Sequence, residues 1–533
     1  MSMNRRQFGQ LIGLGAVGAA MAKVPAAFAQ DGTTLRLGIN TSDIGTLDPH
    51  FSAATPDRAT VDMIFNGLVR FVPGVSDDFE ADLAEELPES VENEDGTQSW
   101  SFTLREGVMT HAADGVDSYE LTVDDLVYSF EKASDPDRSA YAGDYAGWSF
   151  AAGEGDREFV ITLDTPVSSA LLLPKVANYS GGYVVPEQAY EAIGSDNFMT
   201  NPVGTGPFAF VVHNPQVDVQ LAAHEEFFRG TPNLAGVNVV FQSDSTAREL
   251  ALQTGDLDVI SGEREATWAQ RMEEMEGFTA DVFGVGEVNW VNFNVEDELF
   301  QDPLIREAVI LAIDRENHVA LSGAPVGEAL HSVVPASLMP GGLTEEQAEE
   351  AGVNYQQDID RAIELLAEAG YPDGFELDLI TSEQASYRQT YEVLQEELRQ
   401  IGIDVSVEVV QHATMHELIR EGRNPIIVYN AFRPTADTYL TQFFASDGGA
   451  TNFSNFTVDE LRDQARAETD DDTQAELWRQ ANIEILQNFA AFPLTVKNQV
   501  YVRNSDVDYG HELSAVPQLY PGINENTTFE PEG

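Results

Sequence analysis

The sequence NPVGTGPF at residues 201–208 constrains the structure of this 533-residue chain more than any other segment. Gly204 and Gly206 permit positive φ angles or an unusually close approach of two backbone segments, and Pro207 fixes the direction in which the chain leaves. Two interpretations stay open. The segment is either a turn packed on a lobe or a turn whose backbone amides face a ligand cleft.

A second stretch, AGYPDGFELDLIT at residues 369–381, joins a helix that ends at Gly370 to a strand at 377–380. A helix predicted over 387–401 and a second strand at 405–409 follow along the chain. This alternation of helix and strand indicates an α/β lobe with partly parallel strands.

Three further patterns predict local structure. Thr122 is followed three residues later by Asp125, which indicates a helix that begins with a capping box. Residues 60–68 are predicted to form a helix that ends at Gly67. The polar tail from Pro521 is predicted to be frayed.

The N-terminal segment has the pattern of an export signal. Arg5 and Arg6 precede a short apolar run at residues 11–20, and the sequence AFA at 27–29 offers a cleavage site. The paired arginines favour twin-arginine export, with residues 1–29 removed from the mature chain. A membrane anchor is the alternative, but the apolar run is shorter than the ~20 residues that span a bilayer.

The chain is strongly acidic, with 90 aspartate and glutamate residues against 28 lysine and arginine residues and a formal net charge of −62. Since residues 1–29 contain three basic side chains and no acidic one, the remainder carries −65. Nucleic acid and anionic lipid need clustered positive charge and are disfavoured as partners. The acidity either selects a cationic ligand or adapts the whole surface to strong salt, and its even spread favours a halophilic protein.

Cysteine is absent, which excludes disulfides, thiolate catalysis and cysteine-ligated metals. At 43% hydrophobic residues the chain can bury substantial cores, and its length is too great for a single core, so two or more lobes are expected. The G-x-S-x-G, phosphate-loop and dinucleotide-binding motifs do not occur.

Several short motifs occur in the order typical of one family. They are LDP at residues 47–49, NGL at 66–68, DLAE at 82–85, FTLREGV at 102–108, LTVDDL at 121–126, LQTGDLDV at 252–259 and REAVILAIDRE at 306–316. Together with NPVGTGPF they resemble the family 5 extracellular solute-binding proteins, which bind dipeptides, oligopeptides or nickel for ABC importers. The resemblance covers nearly all of residues 35–502.

The resemblance implies an α/β fold of the periplasmic-binding-protein kind, type II and cluster C, with two lobes and an extra subdomain inserted in lobe I. Two segments, 279–294 and 490–500, would cross between the lobes. The implied boundaries are lobe I at 30–285 plus 492–533, its subdomain at about 51–180, and lobe II at 286–491. A ligand that contacts both lobes would favour their closure.

Peptide binders of the family hold the ligand ammonium with an aspartate in a W-x-x-D-x-x-D-P segment, and YNAFRPTADT at residues 429–438 is the matching stretch. Asp437 fits the final aspartate, but Thr438 replaces the proline and the earlier aspartate is missing. This departure weakens the case for an ammonium anchor. Arg433 either pairs with a ligand carboxylate through its planar guanidinium or is a structural partner of Asp437.

Further candidates come from the first crossing segment and from loops that line the cleft in the family. Trp290 and Asn292 could stack on and orient a ligand, although Trp290 is equally suited to packing at the hinge. His412 and His416 have the spacing of two metal ligands, but no third ligand is evident and no metal site is predicted. The predicted ligand residues are His50, Phe51, Thr205, Gly206, Trp290, Asn292, Tyr429, Asn430, Arg433, Asp437 and Asn452.

These observations predict a binding protein rather than an enzyme, without a cofactor. It would capture a peptide or other small organic solute on the periplasmic or extracellular side of the membrane and deliver it, as a monomer, to the transmembrane subunits of an ABC permease. Two alternatives stay open. One is an exported hydrolase on a similar scaffold, and the other is a sensor that presents its ligand to a receptor.

Overall fold

The structure is a computed structural model that describes residues 33–446, 448–451 and 458–530. The predicted signal segment 1–29 and the predicted ligand residue Asn452 lie outside the described residues. Within these ranges, no helix is both long enough and apolar enough to cross a bilayer.

The strands in chain order are β1 Thr34–Ile39, β2 Val69–Phe71, β3 Phe79–Ala81, β4 Glu89–Glu92, β5 Gln98–Thr103, β6 Trp148–Ala152, β7 Glu158–Leu163, β8 Phe208–Asn214, β9 Asp218–Ala223, β10 Gly236–Phe241, β11 Val259–Ser261, β12 Phe278–Phe293, β13 Gly327–Ala329, β14 Phe375–Ser382, β15 Ile403–Val410, β16 Ile426–Ala431, β17 Ala491–Asn504, β18 Val507–Asp508 and β19 Thr528–Phe529. The α-helices are α1 Thr55–Val61, α2 Val123–Ser134, α3 Ser169–Val176, α4 Glu187–Ile193, α5 Ser195–Phe198, α6 Ser245–Gln253, α7 Ala266–Glu273, α8 Pro303–Ala312, α9 Arg315–Val319, α10 Glu345–Glu350, α11 Ile359–Glu368, α12 Ala385–Arg399, α13 His412–Arg420, α14 Ala436–Phe444, α15 Val458–Ala467 and α16 Asp471–Gln487.

One mixed sheet runs through the molecule. Its strand order is β16-β12-β17-β11-β1-β10-β9-β8, and β13 also pairs with β17. Strand β1 lies parallel to both β10 and β11, whereas the β11–β17, β12–β17 and β12–β16 pairs are antiparallel. The apolar residues that alternate along β1 are buried on one face of this sheet, namely Leu35, Leu37 and Ile39.

The two longest strands, β12 and β17, form a ribbon that connects two hydrophobic cores. One core packs around β1 and β8–β10, and we call this part the β1 lobe. The other packs around α8, α11, α12 and β14–β16, and we call it the β14 lobe. The ladder is interrupted between Phe283 and Glu287, a stretch that contains Gly284 and Gly286. Bulges and glycines weaken a sheet locally, so the ribbon can bend here.

A separate antiparallel sheet, β4-β5-β7-β6, packs with α2 and α3 around a core of its own. The buried hydrophobic residues of this subdomain run from Leu68 to Val184. Helix α2 begins as predicted, because the Asp125 backbone N–H donates to Thr122 Oγ1 and the Asp125 carboxylate accepts from the Thr122 N–H. The predicted capping box is confirmed.

The predicted α/β unit is also confirmed. Strands β14 and β15 are parallel, with Phe375 opposite Ile403 and Ser382 opposite Val410, and α12 connects them. Gly370, just beyond α11, adopts a φ of +95°, the left-handed conformation that favours glycine after a helix.

The bounds of the helix predicted over residues 60–68 are wrong. Helix α1 instead spans Thr55–Val61, because Pro56 suits the first turn of a helix. The chain then leaves the helix to reach a neighbouring segment, where the Leu68 N–H donates to the Val176 carbonyl at 2.9 Å.

The prediction of a frayed tail is wrong for the described residues of that tail, 521–530. Strand β19 pairs with β18, and Tyr520 is fully buried. Glu525 forms ion pairs with Arg229 at 2.7 Å and with Arg70 at 3.3 Å. Polar composition misled the prediction because these polar groups are paired with the β1 lobe rather than with water.

Candidate functional site

The NPVGTGPF turn packs tightly inside the β1 lobe. The Gly206 N–H donates to the Ile64 carbonyl at 2.8 Å, and the Gly204 N–H donates to Nδ1 of His111 at 3.3 Å. A Cβ atom on Gly206 would lie 2.5 Å from the Ile64 carbonyl carbon, so close approach requires glycine here. Of the two interpretations of the turn, this geometry supports packing, since both amides already have partners.

Two buried histidines hold the same turn. Nε2 of His111 lies 2.9 Å and Nδ1 of His224 lies 3.2 Å from the Gly206 carbonyl oxygen, to which each ring donates. The two rings meet edge to face, with their centroids 4.8 Å apart. Burial, together with repulsion from His224, lowers the pKa of His111 to about 3, so this ring is neutral at physiological pH.

Three other predicted ligand residues belong to the same lobe. Nε2 of the fully buried His50 lies 2.9 Å from the Tyr183 carbonyl, and Thr205 Oγ1 donates to the Asn66 side-chain oxygen at 3.0 Å. Phe51 is half-buried. Among the described residues, these three side chains do not line the large cavity that lies between the β1 lobe and the β14 lobe. Their contact with a ligand stays a prediction.

A cavity of about 600 Å³ lies between the two lobes at the interrupted stretch of the β12–β17 ribbon. Glu287 and Gln499 contribute from the ribbon. Asn40 and Gly262 contribute from the β1 lobe, where they directly follow the carboxyl ends of β1 and β11. Gln384, the N-cap residue of α12, contributes from the β14 lobe. A crevice beyond the carboxyl ends of parallel strands is the usual ligand position in open α/β sheets.

Two charged side chains, Arg264 and Glu287, line this cavity, and Lys497 lies beside Glu287. Arg264 Nη2 lies 2.5 Å from Glu287 Oε2, and this attraction lowers the pKa of Glu287. Glu287 and Lys497 are direct partners across the β12–β17 ladder, so their side chains project from the same face. Burial lowers the pKa of Lys497, and repulsion from Arg264 adds to the effect. Glu287 and Glu265 attract Lys497, but among the described residues the Lys497 ammonium forms no hydrogen bond or ion pair.

A smaller cavity continues from Glu287 into the β14 lobe, and Lys497, Asn289 and Asn430 are among its lining residues. The Asn289 side-chain nitrogen donates to the Asn430 side-chain oxygen, while the Asn289 oxygen is unpaired within the described ranges. The predicted ligand residue Asn430 therefore lies at the hinge, near the Lys497 ammonium.

Three further predicted ligand residues lie on β12 and β16, where they pack against a core formed with α14 and α16. Trp290 is fully buried, stacks on Tyr429 with ring centroids 6.3 Å apart, and meets Phe443 edge to face at 5.0 Å. Asn292 is fully buried, and Tyr429 is half-buried. This arrangement supports hinge packing for Trp290, and ligand contact by the three residues stays a prediction.

Arg433 and Asp437 are not partners of each other. Asp437 accepts two hydrogen bonds from Arg466, at 2.6 and 3.0 Å. Arg433 donates instead to the Gln442 side chain and to the Phe432 carbonyl. The structural alternative that paired Arg433 with Asp437 therefore does not hold. Asp437 and Arg466 line another cavity of about 210 Å³, between α14 and the subdomain.

His412 and His416 face each other on α13, with their Nε2 atoms 3.2 Å apart. In the part of the chain that the structure describes, no group of three or more His, Asp or Glu side chains could hold a metal ion.

Four residues of the two cavities were not predicted from the sequence: Arg264, Glu287 and Gln384 at the interlobe cavity, and Lys497 at the smaller one. One signal was available, since the chain has only four lysines and Lys497 falls in the predicted second crossing segment. Arg264 and Gln384 come from segments remote from each other, and no motif connects them.

Comparison with known proteins gives a consistent set of relatives. The family profile described as "Bacterial extracellular solute-binding proteins, family 5 Middle" matches residues 78–451. Heme-binding protein A of Haemophilus influenzae is 25% identical over 456 residues, which cover 80% of this chain and 81% of that protein.

Two solved structures are similar over 94% of this chain and the full length of the other chain. One is the binding protein MoaA of A. tumefaciens R10 in complex with mannopinic acid, 33% identical with a TM-score of 0.76. The other is HbpA2 of Haemophilus parasuis, 21% identical with a TM-score of 0.80, which shows the fold alone. The predicted two-lobe α/β fold class is confirmed.

Proposed function

The chain belongs to the bacterial extracellular solute-binding proteins of family 5, and from that membership we propose that it captures a peptide or other small organic solute for an ABC importer. It acts on the periplasmic or extracellular side of the membrane, with the transmembrane permease subunits as partners. The observation that carries the proposal is the 600 Å³ cavity, which is bounded by both lobes and by the ribbon on which they can bend.

Capture by this geometry needs no covalent step. Gln384 and Gln499 offer amide donors and acceptors from the β14 lobe and from the ribbon, and the Asn40 side chain adds another from the β1 lobe. A solute that bonds to both lobes stabilises the closed arrangement, because only that arrangement supplies all contacts at once. Release to the permease follows when the lobes separate again.

The first solutes to test come from the relatives. The 33% identical protein binds mannopinic acid, so sugar-derived organic acids stand beside short peptides as candidates. Protein purified without refolding, denatured, and examined by mass spectrometry would release its solute as a small molecule of unchanged mass. Small-angle scattering should then show a smaller radius of gyration with the solute than without it. A radius of gyration that no candidate solute changes would contradict the proposal.

We also propose how the protein is exported and in which oligomeric state it exists in solution. The protein is a monomer exported through the twin-arginine signal in residues 1–29, and its acidic surface suits strong salt. Replacing Arg5 and Arg6 by lysine should block export of the precursor, and the unfolding midpoint should rise from low to molar NaCl as repulsion among carboxylates is screened.

We also propose the lobe boundaries. The β1 lobe corresponds to residues 30–285 plus 492–533 and the β14 lobe to 286–491. The interruption that contains Gly284 and Gly286 supports the first boundary. The separate core of the subdomain supports an insertion within the β1 lobe at about 51–180.

A further inference from the structure

One cation beside the interlobe cavity forms no ion pair within the described residues. Arg264 and Glu287 line the cavity and pair with each other, whereas Lys497 lies next to Glu287 at the adjoining smaller cavity. Glu287 and Glu265 attract Lys497, but among the described residues the Lys497 ammonium forms no ion pair or hydrogen bond with either. Glu287 is shared between two cations, and an anionic solute would add a second partner for them.

The lack of an ion pair at Lys497 is unexpected from the composition. Acidic side chains outnumber basic ones by 90 to 28, so almost any randomly placed lysine would find a carboxylate. The other two lysines of the described chain do find anionic or polar partners, since Lys132 pairs with Asp48 at 3.0 Å and Lys175 donates to the Asp144 carbonyl at 2.9 Å. Lys497 differs from both, because its ammonium has neither an ion pair nor a hydrogen bond within the described residues.

The positively charged groups lie on all three parts that move relative to one another when the lobes close: the β1 lobe, the ribbon and the β14 lobe. Arg264 follows β11 in the β1 lobe, and Lys497 lies on the ribbon. The N-terminus of α12 lies on the β14 lobe, where no side chain caps the helix and its N-cap Gln384 lines the cavity. Unpaired backbone N–H groups give the start of a helix a partial positive charge that attracts anions.

We propose that the solute carries a carboxylate, which binds Lys497 and Arg264 at the hinge and faces the N-terminus of α12. The inference rests on the proposed function and specifies its solute class. Glu287 then acts as an internal competitor, because its carboxylate already occupies one side of Arg264. A ligand carboxylate bridges groups of both lobes, so binding and closure are coupled.

The first test uses matched pairs of solutes that differ in one negative charge, namely gluconate and sorbitol, and N-acetylalanine and its amide, together with mannopinic acid. Binding is measured by calorimetry on the whole protein at low ionic strength, and closure by small-angle scattering. The expected result is binding and closure confined to acids. Binding of the uncharged members, or of no acid, overturns the inference. Closure around an uncharged solute would overturn it while leaving the proposed function intact.

The second test uses two variants with opposite expected effects. Lys497→Met should weaken binding of the acid about tenfold, equivalent to about 1.4 kcal/mol, and Lys497→Arg should restore most of it. Glu287→Gln should strengthen binding about threefold, because the competing carboxylate is gone. If the Arg264–Glu287 pair were only structural, Glu287→Gln would leave the affinity unchanged or weaken it, and that result overturns the inference. Circular dichroism of all three variants confirms that they fold.

Discussion

The NPVGTGPF turn and the interlobe cavity at the hinge differ in whether their polar groups have hydrogen-bond partners. At the turn, the amides of Gly204 and Gly206 and the ring nitrogens of His111 all have partners, and no charge is present. At the hinge, the Lys497 ammonium forms no hydrogen bond or ion pair and Asn289 keeps an unpaired oxygen within the described ranges.

The difference shows that the segment easiest to recognise in the sequence is not the segment that lines the ligand cavity. The turn is recognisable because close packing permits few residues at Gly206, so its pattern marks the fold. The hinge is built from common residue types that meet only in space. Unsatisfied polar groups in a cavity are therefore a better guide to the ligand here than the strongest motif.

The largest expected effect tests whether the turn is structural. Gly206→Ala places a Cβ against the backbone of Ile64 and Met63, so we expect a loss of about 3 kcal/mol in the free energy of unfolding. Gly143→Ala is the matched control, since a Cβ there meets nothing within 4 Å. Denaturant unfolding of both variants measures the difference. Equal stabilities would show that the turn is not tightly packed.

The second prediction concerns acid sensitivity of the turn. Because the folded pKa of His111 is about 3, below its ordinary 6.5, the unfolded chain takes up the proton first as the pH falls. This contribution to stability is complete above pH 6.5 and decreases by about 2 kcal/mol at pH 5. His111→Gln keeps a donor to Gly206 but cannot titrate, so its stability should fall less between pH 7 and pH 5. Parallel slopes for the parent and the variant would refute the prediction.

The third prediction compares Arg433, whose side chain has hydrogen-bond partners, with Lys497. Its guanidinium bonds to Gln442 and Phe432 and lies over the Phe443 ring at 5.1 Å, so Arg433→Ala should cost about 1–2 kcal/mol of stability. Lys497→Met should instead leave stability nearly unchanged while weakening the acid. Thermal unfolding and calorimetry on both variants make the comparison. A stable Arg433→Ala protein with reduced affinity would move Arg433 into the site.

The smallest expected effect concerns Asp437. Its partner Arg466 is 39% exposed, so water screens the pair and Asp437→Asn should cost less than about 1 kcal/mol. Affinity for the solute should stay within twofold of the parent, because the pair already satisfies Asp437. Arg466→Met is the control, and a large loss of affinity in Asp437→Asn alone would show direct ligand contact.

Local patterns predicted local structure well. The capping box at Thr122, the β14–α12–β15 unit and the glycine after α11 follow from neighbours in the sequence, and the structure confirms them. The helix bounds near Thr55 and the ordered tail at Glu525 were predicted incorrectly. Both depend on partners distant along the chain, which hydrophobic spacing does not reveal.

By itself, the sequence determined the family, the two-lobe α/β class and the exclusion of cysteine chemistry, because glycine, proline and apolar spacing act through adjacent residues. Only the tertiary structure decided that Asp437 pairs with Arg466 and that Glu287 lies between Arg264 and Lys497 at two adjoining cavities. Whether two charged side chains pair depends on the distance between them in space. When the side chains come from remote segments, no local sequence pattern specifies that distance.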